Sequence, residues 1–369
     1  MKRSFIREIL ESIDKETISF AGGLPDETLF PLEDLKSANM QLYSSSSNLQ
    51  YTTSNGLLEL REMITSFYNN DGFPTDAENI LITTGSQQAL YIIANYFKNR
   101  KIVIEEPSYL GAVNIFKMNS LPMLGVKLHD DGIDIESFKD EYLKAKLAYL
   151  IPDFQNPTGS LYSQEKREEI AKIILKNGGY IIEDAPYSEL FFSQKSQSIS
   201  SLIPNNSFHL GSFSKTLTPS LRLGWVRAEK DILKEFVKIK ETIDLHSCSI
   251  AQHTLKNYLN DRSRYKNHLQ KLRVVYKEKM HFFSDALKEY IPEFQFTQPK
   301  GGMFIYGSIE GVDSFKLVEE CIKKKVVFVP ANQFYLDRTI SDEIRFNFTH
   351  TDKKGVEEGL KTIASVLLS

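Results

Sequence analysis

What is scarce in this 369-residue sequence narrows its chemistry first. It has two cysteines, Cys248 and Cys321, too few for a disulfide framework. That fits a reducing compartment, and a cytoplasmic protein is expected. Its seven histidines are scattered without the paired spacing of a metal site, so no metal is expected. Apolar runs stop at short strands such as "IVI" and "LAYLI", so no membrane span is predicted. The opening "MKRSFIREILESIDKET" lacks the apolar core of a secretion signal, and acids follow its basic residues at once. A formal net charge of -3 with no Lys/Arg block argues against a nucleic-acid surface. What remains is ordinary globular composition and enough chain to bury a large core.

No internal repeat is evident. "YSSSSN" (43–48) is the only low-complexity patch and reads as a loop near a domain junction. From about 79 to 228, short apolar runs ("NILIT", "KIVIE", "PMLGVKL", "LAYLI", "YIIE", "FHL") alternate with amphipathic segments such as "SQQALYIIANYF", a segment beginning at Tyr109, and "QEKREEIAKIILK". Strands apolar on both faces and separated by helices predict an α/β fold with a buried, mostly parallel sheet. The tail differs. The long helical pattern "RYKNHLQKLRVVYKEKMHFFSDALKEYI" is followed by "GGMFIYGSI", "FKLVEECIKKK", "VVFVP" and "EIRFNFT", which predicts a smaller α+β domain. The expected division is a large domain over 40–263 and a small domain from 1–39 plus 264–369.

Parallel sheets hold ligands at the carboxyl ends of their strands. Gly85-Ser86, Asn156, Asp184 and Ser214-Lys215 all fall there. Lys215, in "GSFSKTLTPSLRLG", has three readings. A phosphate-cradling loop needs a glycine where His209 stands, which counts against nucleotide binding. A solvated surface lysine is the second. The third is a nucleophile that forms an imine with a carbonyl, and pyridoxal phosphate (PLP) presents an aldehyde to such a lysine. That cofactor makes further demands, and the sequence answers each. "TTGSQQAL" turns from strand to helix, so the amides of Ser86 and Gln87 can face its phosphate. Asp184 in "IIEDAPYSEL", just past a strand, suits a pyridinium nitrogen, with Tyr187 three residues on. "PDFQNPTGSL" makes a turn at Asn156. Tyr109 in "EEPSYLG" offers a stacking ring. Taken singly, each has a plain structural reading as a cap, a turn or core packing.

The ordered set "NPTG", "EDAPY", "SFSK…LRLGW" and "IRFNF" resembles a fold-type-I PLP-dependent aminotransferase of class I/II. "FAGGLPDETLFP", "YTTSNGLLELRE", "TGSQQAL" and "PKGGMF" narrow the resemblance to the subgroup acting on 2-aminoadipate, kynurenine and aromatic amino acids. It implies that Lys215 binds PLP covalently and moves the substrate proton. It implies that Asp184 pairs with the pyridinium, Asn156 and Tyr187 bond the phenolate oxygen, and Tyr109 stacks on the ring. Ser86, Gln87, Ser212 or Ser214, and Arg222 would hold the phosphate, joined by Tyr51 from a partner subunit in a homodimer with shared sites. Arg345 would grip the substrate α-carboxylate as a planar fork, and Gly23 would let backbone approach the substrate. Arg7, on a short N-terminal helix, would approach a distal substrate carboxylate.

The implied reaction moves an amino group from a 2-aminoadipate, aromatic or aliphatic donor to a 2-oxo acid such as 2-oxoglutarate. Relatives carry a further arm before the segment matching "SFIREIL", where this sequence begins, so a more open substrate entrance is expected. Two other classes share the scaffold. One is the PLP-dependent lyases and decarboxylases. The other is an effector sensor fused behind a DNA-binding domain, for which the sequence leaves no room before Ser4.

Overall fold

The computed structural model describes residues 14, 16–337 and 341–369. Its centre is an eight-stranded sheet: β2 (Ile80–Thr83), β3 (Ile102–Glu106), β4 (Met123–His129), β5 (Gly132–Ile133), β6 (Leu147–Leu150), β7 (Tyr180–Asp184), β8 (Ser207–Ser212) and β9 (Gly224–Arg227). β1 (Ile18–Ser19) lies outside it. The spatial order is β2-β9-β8-β7-β6-β3-β4-β5. The four pairings from β8 through β7, β6 and β3 to β4 are parallel. β2, β6 and β7 are buried at nearly every position, which is why they read as continuous apolar runs rather than alternating ones.

The sheet is less uniform than the apolar runs suggest. β9 begins within the "LRLGW" motif, where no apolar run marks a strand. It inserts antiparallel between β2 and β8, and the hairpin partner β5 is antiparallel to β4. Because the direction reverses on each side of β9, β2 again runs with β8. The carboxyl ends of β2, β3, β6, β7 and β8 therefore share one edge.

A second, antiparallel sheet has the order β10-β11-β14-β13, from β10 (Gln295–Phe296), β11 (Phe304–Ser308), β13 (Val329–Pro330) and β14 (Glu343–Asn347). β12 (Val326–Val327) is separated from β13 by Phe328, so "VVFVP" is two short strands, and β12 pairs parallel with β1. The patch 43–48, expected as a loop, ends in a 3-10 turn at Ser46–Leu49 capped by the Ser45 hydroxyl. The helix expected from Tyr109 runs Leu110–Met118, with Tyr109 as its N-cap.

Two segments tie the sheets together. The helix Arg262–Tyr290 begins beside the large sheet, where Tyr265 donates to Thr216 Oγ1 at 2.9 Å, and ends beside the small one, where Phe283 packs on Phe346. The chain after β1 is stitched to both small sheets: Phe20 N donates to Val327 O and Asn347 N to Phe20 O, each at 2.8 Å. The helix Leu32–Leu42 leaves this region and packs on Ser249–Leu259, where Asn257 donates to Ala38 O at 3.0 Å.

An ion pair among the described residues is buried. Arg167 donates to Asp153 Oδ1 at 2.7 Å and to the carbonyls of Pro152, Tyr162 and Gln197. Burial nonetheless holds the Asp153 carboxyl above its ordinary range. Arg167→Ala leaves that carboxylate unpaired and is expected to cost about 3–5 kcal/mol in urea unfolding. The double variant Arg167→Met with Asp153→Leu should recover most of the loss; equal loss in both proteins would mean the cost is packing and not charge.

Candidate active site

The shared edge of the large sheet gathers the residues singled out from the sequence. β7 ends at Asp184, whose side chain is buried. Tyr149 on the neighbouring β6 donates to Asp184 Oδ2 at 2.9 Å, while Oδ1 has no partner among the described residues. A buried carboxylate with one oxygen unanswered is costly, and burial pushes its pKa up to about 7 despite the Tyr149 bond. That oxygen is suited to a protonated ring nitrogen.

β8 ends at Ser212, and the chain turns through Lys215. Lys215 Nζ donates to Gly23 O at 2.7 Å. Its pKa falls to about 8, first from burial and then from the positive charges of Arg345 and Arg222. A lysine in that state has a neutral, nucleophilic fraction near physiological pH.

Arg222 is one of these charges. It follows the 3-10 turn Pro219–Leu221 with a left-handed φ of 52°, and its Nη1 reaches Ser214 Oγ at 3.4 Å. Its guanidinium sits against Gly85, where a Cβ would lie 2.8 Å from Nη2. Gly85, with φ +74°, opens the helix Gly85–Tyr96. The helix N-cap is Thr84, whose hydroxyl turns away to Asp244 at 3.2 Å, leaving the first-turn amides of half-buried Ser86 and exposed Gln87 without a capping side chain. Free amides, hydroxyls and a guanidinium make an anion cradle. Ser212 belongs to the same cluster, accepting from Ser214 N at 3.1 Å.

Arg345, on β14, is the other of these charges and is buried. It donates to Asn156 Oδ1 at 2.7 Å and to Ala21 O, while its Nε has no partner among the described residues. Its guanidinium stacks over Phe304 at 4.4 Å and Phe334 at 5.1 Å. Asn156 Nδ2 donates to the Tyr187 hydroxyl at 3.4 Å, and burial raises that phenol well above its usual range. Tyr109 is half-buried above Gly111, where a Cβ would collide with its ring at 2.5 Å. Gly23 is also tightly placed: a Cβ there would meet Phe304 at 3.3 Å and Lys215 Nζ at 3.8 Å.

Two singled-out residues stand apart. Arg7 lies outside the described residues. Tyr51 is 79% exposed and packs edge-on against His246. Sequence reading missed Tyr149, whose one hydroxyl in the apolar run "LAYLI" was its only signal. It also missed Glu105, a carboxylate near the end of a buried strand. Glu105 accepts from Ile151 N, Gln155 Nε2 and Tyr162 OH at 2.9, 3.0 and 2.7 Å, and Gln155 in turn accepts from Thr158 N. The chain Glu105–Gln155–Thr158 fixes the turn that presents Asn156.

These donors and acceptors fit PLP: a cradle for phosphate, a lone carboxylate oxygen for a ring nitrogen, and a lysine between them. The chain belongs to the class I and II aminotransferases, the model of that family matching residues 16–363. It is a PLP-dependent transaminase. It is 31% identical to the aromatic-amino-acid aminotransferase 1 of Thermococcus litoralis over 100% of this chain and 92% of that one. The α-aminoadipate aminotransferase of Thermus thermophilus, solved with N-(5'-phosphopyridoxyl)-L-leucine, superposes with a TM-score of 0.92 at 30% identity, covering 100% of this chain and 95% of that one. The kynurenine aminotransferase of Pyrococcus horikoshii gives 0.93 at 31% with the same coverage.

Lys215 should acylate with a pH midpoint near 8, against 10.5 for an ordinary lysine, when the PLP-free protein is pulse-labelled and its peptides are weighed. Removing a neighbouring positive charge favours the protonated amine, so Arg345→Gln should move the midpoint upward. A midpoint unchanged by the substitution would remove Arg345 from the electrostatics of the lysine.

Proposed function

We propose that this enzyme transfers the amino group of acidic, aromatic or aliphatic amino acids to a 2-oxo acid such as 2-oxoglutarate, as a cytoplasmic homodimer with shared sites. The observation that carries this reading is Lys215 just past the end of β8, bonded to Gly23 O and within the fields of Arg222 and Arg345, with Asp184 Oδ1 left without a partner among the described residues. Arg222, with Ser212, Ser214 and the amides of Ser86 and Gln87, is the partner of the cofactor phosphate. Arg345 is the partner of the substrate α-carboxylate, and its planar fork suits two-pronged recognition. A substrate held in this way would present its Cα to Lys215.

Bound PLP supplies an electron sink for the bond broken at Cα. The chain's residues do the rest. The Asp184 carboxylate stabilises positive charge on the ring nitrogen, a preorganised electrostatic term. Asn156 and Tyr187 orient the phenolate oxygen, and Tyr109 covers the ring face. Lys215 would hold the cofactor through its Nζ and would act as the acid and base that moves the proton at the substrate Cα. Support for a broad donor range comes from the relatives, whose names span aromatic, α-aminoadipate and kynurenine substrates.

The dimer reading rests on an apolar surface around Tyr51. Leu32 and Met40 on one helix, Leu49 beside Tyr51, and Ile250 at the start of Ser249–Leu259 are exposed on elements that touch one another, and Leu245 is exposed in the loop before that helix. Exposed apolar side chains gathered on neighbouring elements suit an interface. It would bring Tyr51 to the partner's phosphate cradle. The reducing-compartment reading is supported by two free cysteines, Cys321 buried and Cys248 exposed.

A half-reaction screen tests the function. Each amino acid is added to PLP-loaded enzyme without an acceptor, and the loss of cofactor absorbance and the oxo-acid product are followed. Acidic, aromatic and aliphatic donors should each convert one equivalent per site and Lys215→Ala none; carbon dioxide or ammonia released in place of a simple oxo acid would overturn transamination. Arg345→Lys should lower kcat/KM for amino acids about 100-fold, because the fork is lost while the charge stays. A donor amine without an α-carboxylate should be insensitive, and equal damage to both would make Arg345 a fold residue.

Met40→Glu combined with Leu245→Glu should give a monomer in sedimentation with weakened PLP affinity. A monomeric variant with unchanged PLP affinity would separate Tyr51 from the cofactor site.

A further inference from the structure

A cavity of about 720 Å3 lies between the helix Leu58–Asn70, the segment 185–201 and the first turns of Arg262–Tyr290, floored by β8 and β9. Lys215, Asp184, Tyr109, Arg222 and Arg345 do not line it, whereas Ser212 and Thr216 do. It is thus a second chamber, backing onto the turn that carries the lysine. Its volume is within the range of small-molecule sites, roughly 300–1,000 Å3.

The interior is largely aromatic, and its one deeply buried carboxylate, Asp153, is paired with Arg167. Phe67, Tyr68, Phe73, Phe191, Trp225 and Tyr265 form much of the wall. Their polar atoms are already spent: Trp225 Nε1 donates to the Tyr68 hydroxyl at 2.6 Å, that hydroxyl meets His209 Nδ1 at 2.9 Å, and Tyr265 donates to Thr216. Burial depresses the His209 pKa to about 4, so the ring is neutral at physiological pH.

The rim is charged, with an excess of cations. Lys195 is held by Asp71 and Glu189, and Arg273 donates to Glu189 at 2.6 Å while lying 3.8 Å over Phe191. Asp153 is consumed by Arg167. Arg262 and Lys266 line the opening, are exposed, and make no ion pair with a carboxylate among the described residues. Four cations therefore face two carboxylates, and two of the cations are uncommitted.

We propose that this cavity is a second ligand site, separate from the substrate site, and that it takes a planar aromatic carboxylate. The ring inserts between the aromatic walls and the carboxylate stays at the rim with Arg262 and Lys266. Buried ring surface supplies the affinity, and the uncommitted cations supply the preference for an anion.

Trp225 is the only tryptophan of the chain and lines the cavity, so its emission reports occupancy directly. The probe is 3-phenylpropionate, which has neither an amino nor an oxo group, titrated into PLP-loaded enzyme. A saturable change with a Kd of about 1 mM or tighter is expected. The uncharged 3-phenylpropanamide, and the double variant Arg262→Ala with Lys266→Ala, should each bind about tenfold more weakly. Ser66→Phe, which fills the cavity from its wall, should abolish the response while amino transfer continues, and Ser201→Phe from the opposite wall repeats the test. Arg345→Gln, which impairs the substrate site, should leave the response intact. A response lost in Arg345→Gln but kept in both filling variants would assign the probe to the substrate site and overturn the proposal, as would the lack of any saturable change.

Discussion

Three positive groups, Lys215, Arg222 and Arg345, converge at one sheet edge, and the rest of the architecture serves that convergence. Burial and their mutual repulsion depress the lysine, and burial pulls Arg345 down to about 10. Such an arrangement is unfavourable within the protein alone and would be relieved by bound anions. The fold draws the cations from separate places. Lys215 and Arg222 come from the β8–β9 connection, Arg345 from the centre of the second sheet, where β14 lies between β11 and β13. An electrostatic pocket of this kind needs both sheets in register, which the helix Arg262–Tyr290 and the segment after β1 provide.

The buried carboxylates along the same edge show how position assigns role. Glu183 and Asp184 are consecutive, so their side chains leave opposite faces of β7. Glu183 accepts from the amides of Ile199 and Ser200 and is satisfied by a helix start. Glu105 receives three donors from the β6 strand end and the turn after it. Asp184 receives only Tyr149 among the described residues. Burial raises all three, yet a single one retains an oxygen without a partner among those residues. The distinction between scaffold and chemistry is a count of donors, and sequence neighbours fall on either side of it.

That count explains what was legible in the sequence. Short apolar runs announced the strands because buried parallel strands leave no polar alternation to read. The site residues followed because they sit where those runs end. β9 was hidden because its first residues lie inside a motif read for chemistry, and its antiparallel insertion depends on β2, about 140 residues earlier in the chain, a separation that local periodicity does not report. Tyr149 and Glu105 were hidden for the opposite reason: a single polar side chain inside an apolar run says nothing until its partner, 35 or 46 residues away, is known. Arg345 was legible only through the family motif around it, since a strand arginine by itself is ordinarily a surface ion pair.

The segment after β1 connects these pieces into one responsive unit. Its carbonyls at Ala21 and Gly23 accept from Arg345 and Lys215, the two groups proposed to meet substrate. Its Phe20 amide and carbonyl belong to the small-sheet network. A carboxylate bound at Arg345, as proposed, would compete with Ala21 O for Nη2, and a lysine that gives up protons would offer less to Gly23 O. Both events weaken the hold on the same few residues. Leu24, next in the chain, is 42% exposed, so the segment has solvent on one side into which it can move. Arg345 and Lys215 thus share one short stretch of main chain, so a change in the bond made by either would be felt by the other without any side chain between them, and a Cβ at Gly23, within that stretch, would meet Phe304 at 3.3 Å and Lys215 Nζ at 3.8 Å.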